Sequence, residues 1–207
     1  MNKAMKVLLF ATIAMLVSSG YAELVYDQNF DDNNDWWTTS LTGDTAATYI
    51  MDGIAGNTTH SGTGALSISS PDGVERWYMH HNGSLTISIT PEHEYELSAW
   101  VKTENMSDNT STYIRFAWRD SDKIWLGNSS SSTSITTNGD WTQLTLTTTA
   151  PLNAVGAQVY LFVEGDAAST ATITFDDIQI NAVPEPATLG LFSISGCLLM
   201  ALRRLKI

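Results

Sequence analysis

Apolar and polar residues alternate with period two along most of the middle of this chain. The alternation is clear in Leu85–Ile89, Tyr95–Val101, Tyr113–Trp118, Trp141–Thr147, Ala157–Val163 and Ile173–Phe175. These runs are rich in Thr, Val, Ile and aromatic residues. That is the strand signature, because successive strand side chains point to opposite faces. Turn-forming residues punctuate the runs at Asp72-Gly73, Asn82-Gly83, Asp120-Ser121-Asp122, Asn138-Gly139-Asp140 and Glu164-Gly165-Asp166. A convincing amphipathic-helix period is missing from this region. Strands at such spacing predict an all-β fold, a two-sheet jelly-roll β-sandwich. The Ser/Thr-rich run Ser129–Ser134 reads as a mobile loop.

Both ends break the pattern. Lys3 and Lys6 precede an apolar run from Val7 to Val17, and Ser18-Ser19-Gly20-Tyr21-Ala22 supplies small residues before a cleavage point. Residues 1–22 therefore read as a secretory signal peptide, cut after Ala22. At the other end, Pro184-Glu185-Pro186 is followed by mostly apolar residues from Ala187 to Leu202, then Arg203, Arg204 and Lys206. As a helix that apolar segment spans roughly 24 Å, a little short of a hydrocarbon core, and its basic end suits the cytoplasmic side of a membrane. The order of motif, apolar span and basic cluster resembles the PEP-CTERM sorting signal of exopolysaccharide-making bacteria. The resemblance implies an exosortase-type processing enzyme as a partner and Pro184, Glu185 and Pro186 as the recognised residues. The expected organisation is a signal peptide (1–22), one domain (23–180), a linker (181–186) and a sorting or anchor segment (187–207). The expected location is transient anchoring in the inner membrane, followed by the outer surface or extracellular matrix.

Charge and cysteine content narrow the chemistry. All but Glu185 of the 22 acidic residues lie in the 23–180 domain, against five basic ones, Arg76, Lys102, Arg115, Arg119 and Lys123, so the domain carries −16. Nucleic acid is a poor partner for such a surface. Cys197, the only cysteine, lies in the tail, which removes disulfides, thiol catalysis and Cys-type zinc sites from the domain.

Several blocks of the domain then resemble a known family. His60-Ser61-Gly62-Thr63-Gly64-Ala65-Leu66-Ser67-Ile68 is similar to the turn and strand of CenC-type carbohydrate-binding modules. Thr90–Lys102, Trp141-Thr142-Gln143-Leu144 with Ala150-Pro151, and the closing Phe175-Asp176-Asp177-Ile178-Gln179-Ile180 resemble later strands. Asn29-Phe30-Asp31 stands at the opening one. Glu92 and His93 depart from the usual Pro-Gly turn. The resemblance implies a galactose-binding-like jelly roll, a polysaccharide or oligosaccharide ligand and a structural calcium. By position it nominates Asp31 and Asp176 as calcium ligands, completed from the Asn57–Ser61 loop.

Candidate contacts follow from sorting residues by face. With Tyr95, Leu97, Ala99 and Val101 in the core, Trp100 faces outward; with Val159, Leu161 and Val163 in the core, Gln158 and Tyr160 do. With Ile114, Phe116 and Trp118 inside, Arg115 faces outward too. A pyranose ring stacks on aromatic faces and its hydroxyls are read by polar neighbours. Trp77, Trp100 and Tyr160 are therefore the predicted platforms, with Arg115 and Gln158 as hydroxyl readers. The function that fits is a non-catalytic carbohydrate-binding protein. Two other classes stay open: a structural matrix protein with no sugar site, and a glycan-cleaving jelly roll. The third would use Glu92, Glu94 and Glu96, whose i, i+2, i+4 spacing mimics a paired-carboxylate site but whose first members fall in a turn. His80-His81 reads as a structural or surface pair.

Overall fold

A computed structural model of the chain describes residues 22–31, 37–40, 46–51, 59–70, 76–81, 86–166 and 170–184. Leu24–Ala182 forms one compact unit. The predicted signal peptide up to Tyr21, and Glu185, Pro186 and the predicted sorting or anchor segment, lie outside the described residues. Twelve strands run in chain order among the described residues: β1 (Glu23–Gln28), β2 (Trp37–Ser40), β3 (Ala46–Met51), β4 (Gly64–Ser70), β5 (Arg76–His81), β6 (Ile87–Ser88), β7 (Glu94–Glu104), β8 (Ser111–Arg119), β9 (Trp125–Asn128), β10 (Gly139–Thr149), β11 (Gly156–Glu164) and β12 (Ala171–Ala182). β12 continues two residues into the predicted linker.

The strands form two six-stranded sheets. Sheet A has the order β10-β7-β12-β4-β3, with β1 also pairing β12; sheet B has the order β2-β5-β11-β8-β9, with β6 also pairing β11. The ladders joining the strands along each order are antiparallel. Both sheets contribute to one buried core. Tyr95, Leu97, Ala99 and Val101 come from β7, Ile114, Phe116 and Trp118 from β8, and Val159, Leu161 and Val163 from β11. This is the predicted two-sheet sandwich, and alternation assigned each of these residues to the correct face.

β12 shows how the chain corrects its own pattern. Ile173 and Phe175 are inward at odd positions, whereas Ile178 and Ile180 are inward at even ones. The change of parity is made by a bulge: Asp176 pairs with Trp100 and Gln179 with Ser98, three residues on β12 spanning two on β7. Without that extra residue the second half of the strand would turn its isoleucines outward.

The Ser129–Ser134 segment is not the loose loop expected from its composition. Ser129 N–H donates to the Phe116 carbonyl and Ser132 N–H to that of Ile114. In return, Ser129 Oγ accepts from Phe116 N–H and Ser132 Oγ from Ile114 N–H. A bridge between Thr112 and Ile135 continues the row. Short hydroxyl side chains thus take the place of backbone acceptors along the edge of β8.

Candidate functional site

The outward face of sheet B is built by the two strands at its centre. β8 and β11 alternate with their core residues, so Tyr113, Arg115, Ala117 and Arg119 share the other face with Gln158, Tyr160 and Phe162. The register pairs Tyr160 with Arg115, Phe162 with Tyr113 and Gln158 with Ala117. Three rings form a continuous row. Tyr113 stacks on Phe162 with centroids 5.0 Å apart, and Phe162 is 5.7 Å from Tyr160. Phe162 is 1% exposed and Tyr113 6%, so this is an apolar layer on the side of the sheet away from the core.

Two guanidinium groups share this face, one of them over the aromatic layer. The Arg115 guanidinium carbon lies 4.1 Å from the Phe162 ring centre, a cation–π contact that aligns the planar group with the ring. Its Nε is buried and has no hydrogen-bond partner. Arg119 donates from Nε and from one Nη to Gln158 Oε1, at 2.9 and 2.6 Å. Among the described residues neither guanidinium meets a carboxylate.

At the edge, Trp125 of β9 pairs with Arg119 and Asn128 with Ala117. Trp125 Nε1–H donates to Asn128 Oδ1 at 3.3 Å, which sets the indole on the same face as Arg119. Trp125 is 55% exposed and its neighbours Ile124 and Leu126 are exposed as well.

Sheet A carries a different constellation. The loop 59–64 is held by three carboxylates. Asp176 Oδ2 accepts from the His60 and Ser61 amides at 2.8 and 3.1 Å, and Asp177 accepts from His60 Nδ1 at 2.7 Å and Ser61 Oγ at 2.6 Å. Asp31 accepts from the Thr63 amide and, at 3.0 Å, from that of Gly64. A Cβ on Gly64 would stand 2.0 Å from the Phe30 carbonyl oxygen, so only glycine admits this close approach. The Thr63 amide holds the Asp31 carboxyl below its ordinary range. Asp176 is fully buried, and burial pushes its carboxyl up to about 6, against the amide bonds that favour the charged form. Carboxylate oxygens are the ligands a hard cation such as calcium takes, but those of Asp176 already accept from N–H groups, which a bound cation would have to share or displace. No group of three or more His, Cys, Asp or Glu side chains is placed to hold a metal among the described residues, so backbone oxygens would have to complete such a site.

The predicted contacts therefore separate. Arg115 and Tyr160 meet as direct neighbours on sheet B. Gln158 is on the same face but is fully buried, and its carbonyl is spent on Arg119, so it orients that arginine instead of reading a ligand. Trp100 belongs to sheet A, on the opposite side of the sandwich. His60 stacks on its ring at 3.9 Å and Trp141 meets His60 edge-on, so one face of the Trp100 platform is already taken. Alternation assigned Trp100 to an outward face; it does not say to which sheet. Trp77 is the backbone partner of Val163, a core position, while Tyr78 and His80 pair with Phe162 and Tyr160. Arg119 faces outward as alternation predicts and pairs with Trp125, though neither was among the predicted contacts. Their signal was a Trp beside a hairpin turn and a second arginine four residues after Arg115. Glu92 lies in a turn with φ of 62°, and Glu94 and Glu96 are on β7 of sheet A, away from the aromatic row.

Comparison with known proteins agrees with this architecture. Residues 22–170 match the profile of a family described as a carbohydrate binding domain. The fold is similar to the CBM22-1–GH10 modules of Clostridium thermocellum endo-1,4-β-D-xylanase 10B, a structure complexed with xylohexaose (TM-score 0.59, 18% identity, 80% of this chain and 30% of that one). It is also similar to the CBM22-1 xylan-binding domain of Paenibacillus barcinonensis Xyn10C (TM-score 0.54, 15% identity, 80% of this chain and 97% of that one). At such identities the likeness concerns the fold. The tRNA(Glu)-specific nuclease WapA of Bacillus subtilis subsp. natto is 27% identical over 170 residues, which is 79% of this chain but only 7% of the nuclease. With the profile running from the first strand to the start of the last, and the fold a two-sheet sandwich, the chain belongs to the CBM_4_9 family of carbohydrate binding domains.

Proposed function

We propose that the protein is an exported, non-catalytic polysaccharide-binding module acting at the cell surface or in an exopolysaccharide matrix, and that the outward face of sheet B receives the glycan. One observation carries this reading: a row of three stacked rings on the side of the sheet away from the core, flanked by two arginines and an exposed Trp125. A stacked apolar floor with a few oriented donors is what a sugar chain requires. Tyr160 and Trp125 supply ring faces, and Arg115 and Arg119 supply donors. Gln158 positions Arg119. The test is retention of the purified full-length chain, in mild detergent, on a glycan array and on insoluble polysaccharides. Binding that falls with Tyr160→Ala while the circular dichroism spectrum is kept supports the reading. Retention by no glycan favours a structural matrix protein, and reducing-end release that vanishes with Glu96→Gln favours an enzyme.

The match to tRNA nucleases supports a shared module and no more, since it spans 7% of their length. Export and processing rest on the two chain ends. Intact-mass analysis of the mature product should show loss of residues 1–22 and a cut near Pro184–Pro186; a surface product that keeps residues 187–207 would argue for simple anchoring. Calcium, when bound, would neutralise the carboxylates that hold the 59–64 loop, with Asp31 and Asp176 as its side-chain ligands. Chelator should then lower the melting temperature by mass action, and Asp176→Ala should abolish that sensitivity. An unchanged wild-type melting temperature removes the metal.

A further inference from the structure

We infer that the glycan taken by sheet B is acidic: it carries carboxylates, as in uronic-acid units, and these pair with Arg115 and Arg119. The inference deepens the proposed function and rests on it. Its starting point is an imbalance. The domain has five basic residues among 21 acidic ones, so an arginine has carboxylates in plenty to pair with. Lys102, on sheet A, does pair with Glu104 at 3.2 Å. Among the described residues, Arg115 and Arg119 do not pair, and both stand on the face with the aromatic row. Two of the five cations of a strongly acidic domain thus stand on the face where the ligand is expected.

A neutral sugar gives no reason for this. Partly desolvated guanidinium groups without a counter-charge cost free energy in the unbound protein. The buried, unpartnered Nε of Arg115 adds the cost of a lost hydrogen bond. Both groups are also held in place before any ligand arrives, Arg115 by the Phe162 ring and Arg119 by the Gln158 carbonyl, so little ordering entropy is lost on binding. The planar fork of an arginine matches a carboxylate in two parallel bonds. Arg119 uses its Nε and one Nη internally, leaving the other Nη; neither Nη of Arg115 has a partner among the described residues. The two residues are four apart on one strand, roughly 13 Å, too far for one sugar ring. They would meet different units of a chain lying along β8 and β11, with Tyr160 beside Arg115 and the Ala117–Gln158 pair between the two arginines.

The test uses the full-length protein at 0.15 M salt, where a Debye length of about 8 Å limits the long-range repulsion from the rest of the domain. Affinity is measured for glucuronoxylan, alginate and polygalacturonan, each paired with the same polymer after carbodiimide–borohydride reduction of its carboxyls to alcohols. We expect at least one acidic polymer to bind about tenfold or more tighter than its reduced form, from the greater worth of hydrogen bonds between charged groups. Arg115→Gln and Arg119→Gln should each narrow that ratio. Arg115→Lys should leave it intermediate, since charge stays and the fork is lost; thermal melts check that each variant folds. Equal affinity within every pair overturns the acidic ligand and leaves glycan binding standing. Binding to none of these polymers or to the wider glycan panel overturns the proposed function itself. An acid preference untouched by both glutamine variants overturns the arginine assignment.

Discussion

The two outward faces of the sandwich are opposites in how their polar groups are satisfied. On sheet A, Lys102 is paired with Glu104, Trp100 is capped by His60, and Asp31, Asp176 and Asp177 are occupied by the amides and side chains of the 59–64 loop. On sheet B, stacked rings are laid out beside two arginines without carboxylate partners among the described residues, and a tryptophan stands in solvent. Chemically similar inventories thus give one closed surface and one with donors to spare. The difference teaches that facing outward does not by itself leave a ring free: His60 lies on Trp100 and the Arg115 guanidinium on Phe162.

The largest effect is expected where the aromatic layer is most buried. Phe162→Ala removes the middle ring of the row and should cost about 3–5 kcal/mol, the usual range for a buried Phe, read as a lowered midpoint in urea unfolding. A loss under about 1 kcal/mol would mean that the row is an accessory to the fold.

Asp176 tests the closed face. Its carboxyl is raised to about 6, above its unfolded value, so the folded state binds the proton more tightly. The ionised form therefore weakens the fold above pH 6 by about 3 kcal/mol, and this penalty is relieved as pH falls from 6 towards 4. Asp31, whose carboxyl is lowered, acts in the opposite sense and loses its contribution at still lower pH. In metal-free buffer, Asp176→Asn should flatten the rise in stability between pH 7 and 4. An unchanged slope would assign that rise to other groups.

Trp125→Ala should barely move stability, within about 0.5 kcal/mol for an exposed side chain, yet weaken glycan binding several-fold through the lost stacking face. Equal binding would confine the site to β8 and β11. The smallest effect is expected for Lys102→Ala. Its partly exposed pair with Glu104 is worth at most about 1 kcal/mol, and glycan affinity should not change. A clear loss of affinity would reverse the contrast between the faces and move the site towards the recess of about 490 Å³ that Lys102 helps line at the end of sheet A.

Much of this was legible in the sequence, for physical reasons that also mark its limit. Period two tells inside from outside, so Leu97, Phe116 and Leu161 were placed correctly from spacing alone. Period two does not say which sheet a strand joins. Trp100 and Tyr160 were therefore grouped although the sandwich lies between them. The bulge at Asp176 left its trace in the sequence, as two polar residues in a row within Phe175-Asp176-Asp177-Ile178. The serine-rich segment was read as mobile because hydroxyl side chains favour loops, and composition cannot show that those hydroxyls line up with free amides of β8.

That serine row has a bearing on how the protein behaves when concentrated. An open strand edge is a template on which another chain can add itself, the first step of fibrous assembly. Along β8 the amides of Ile114 and Phe116 are taken by serine hydroxyls. A hydroxyl ends the ladder instead of passing it on, because it leaves no regular backbone strand behind it. At high concentration, this stretch of β8 offers neighbouring copies nothing to extend.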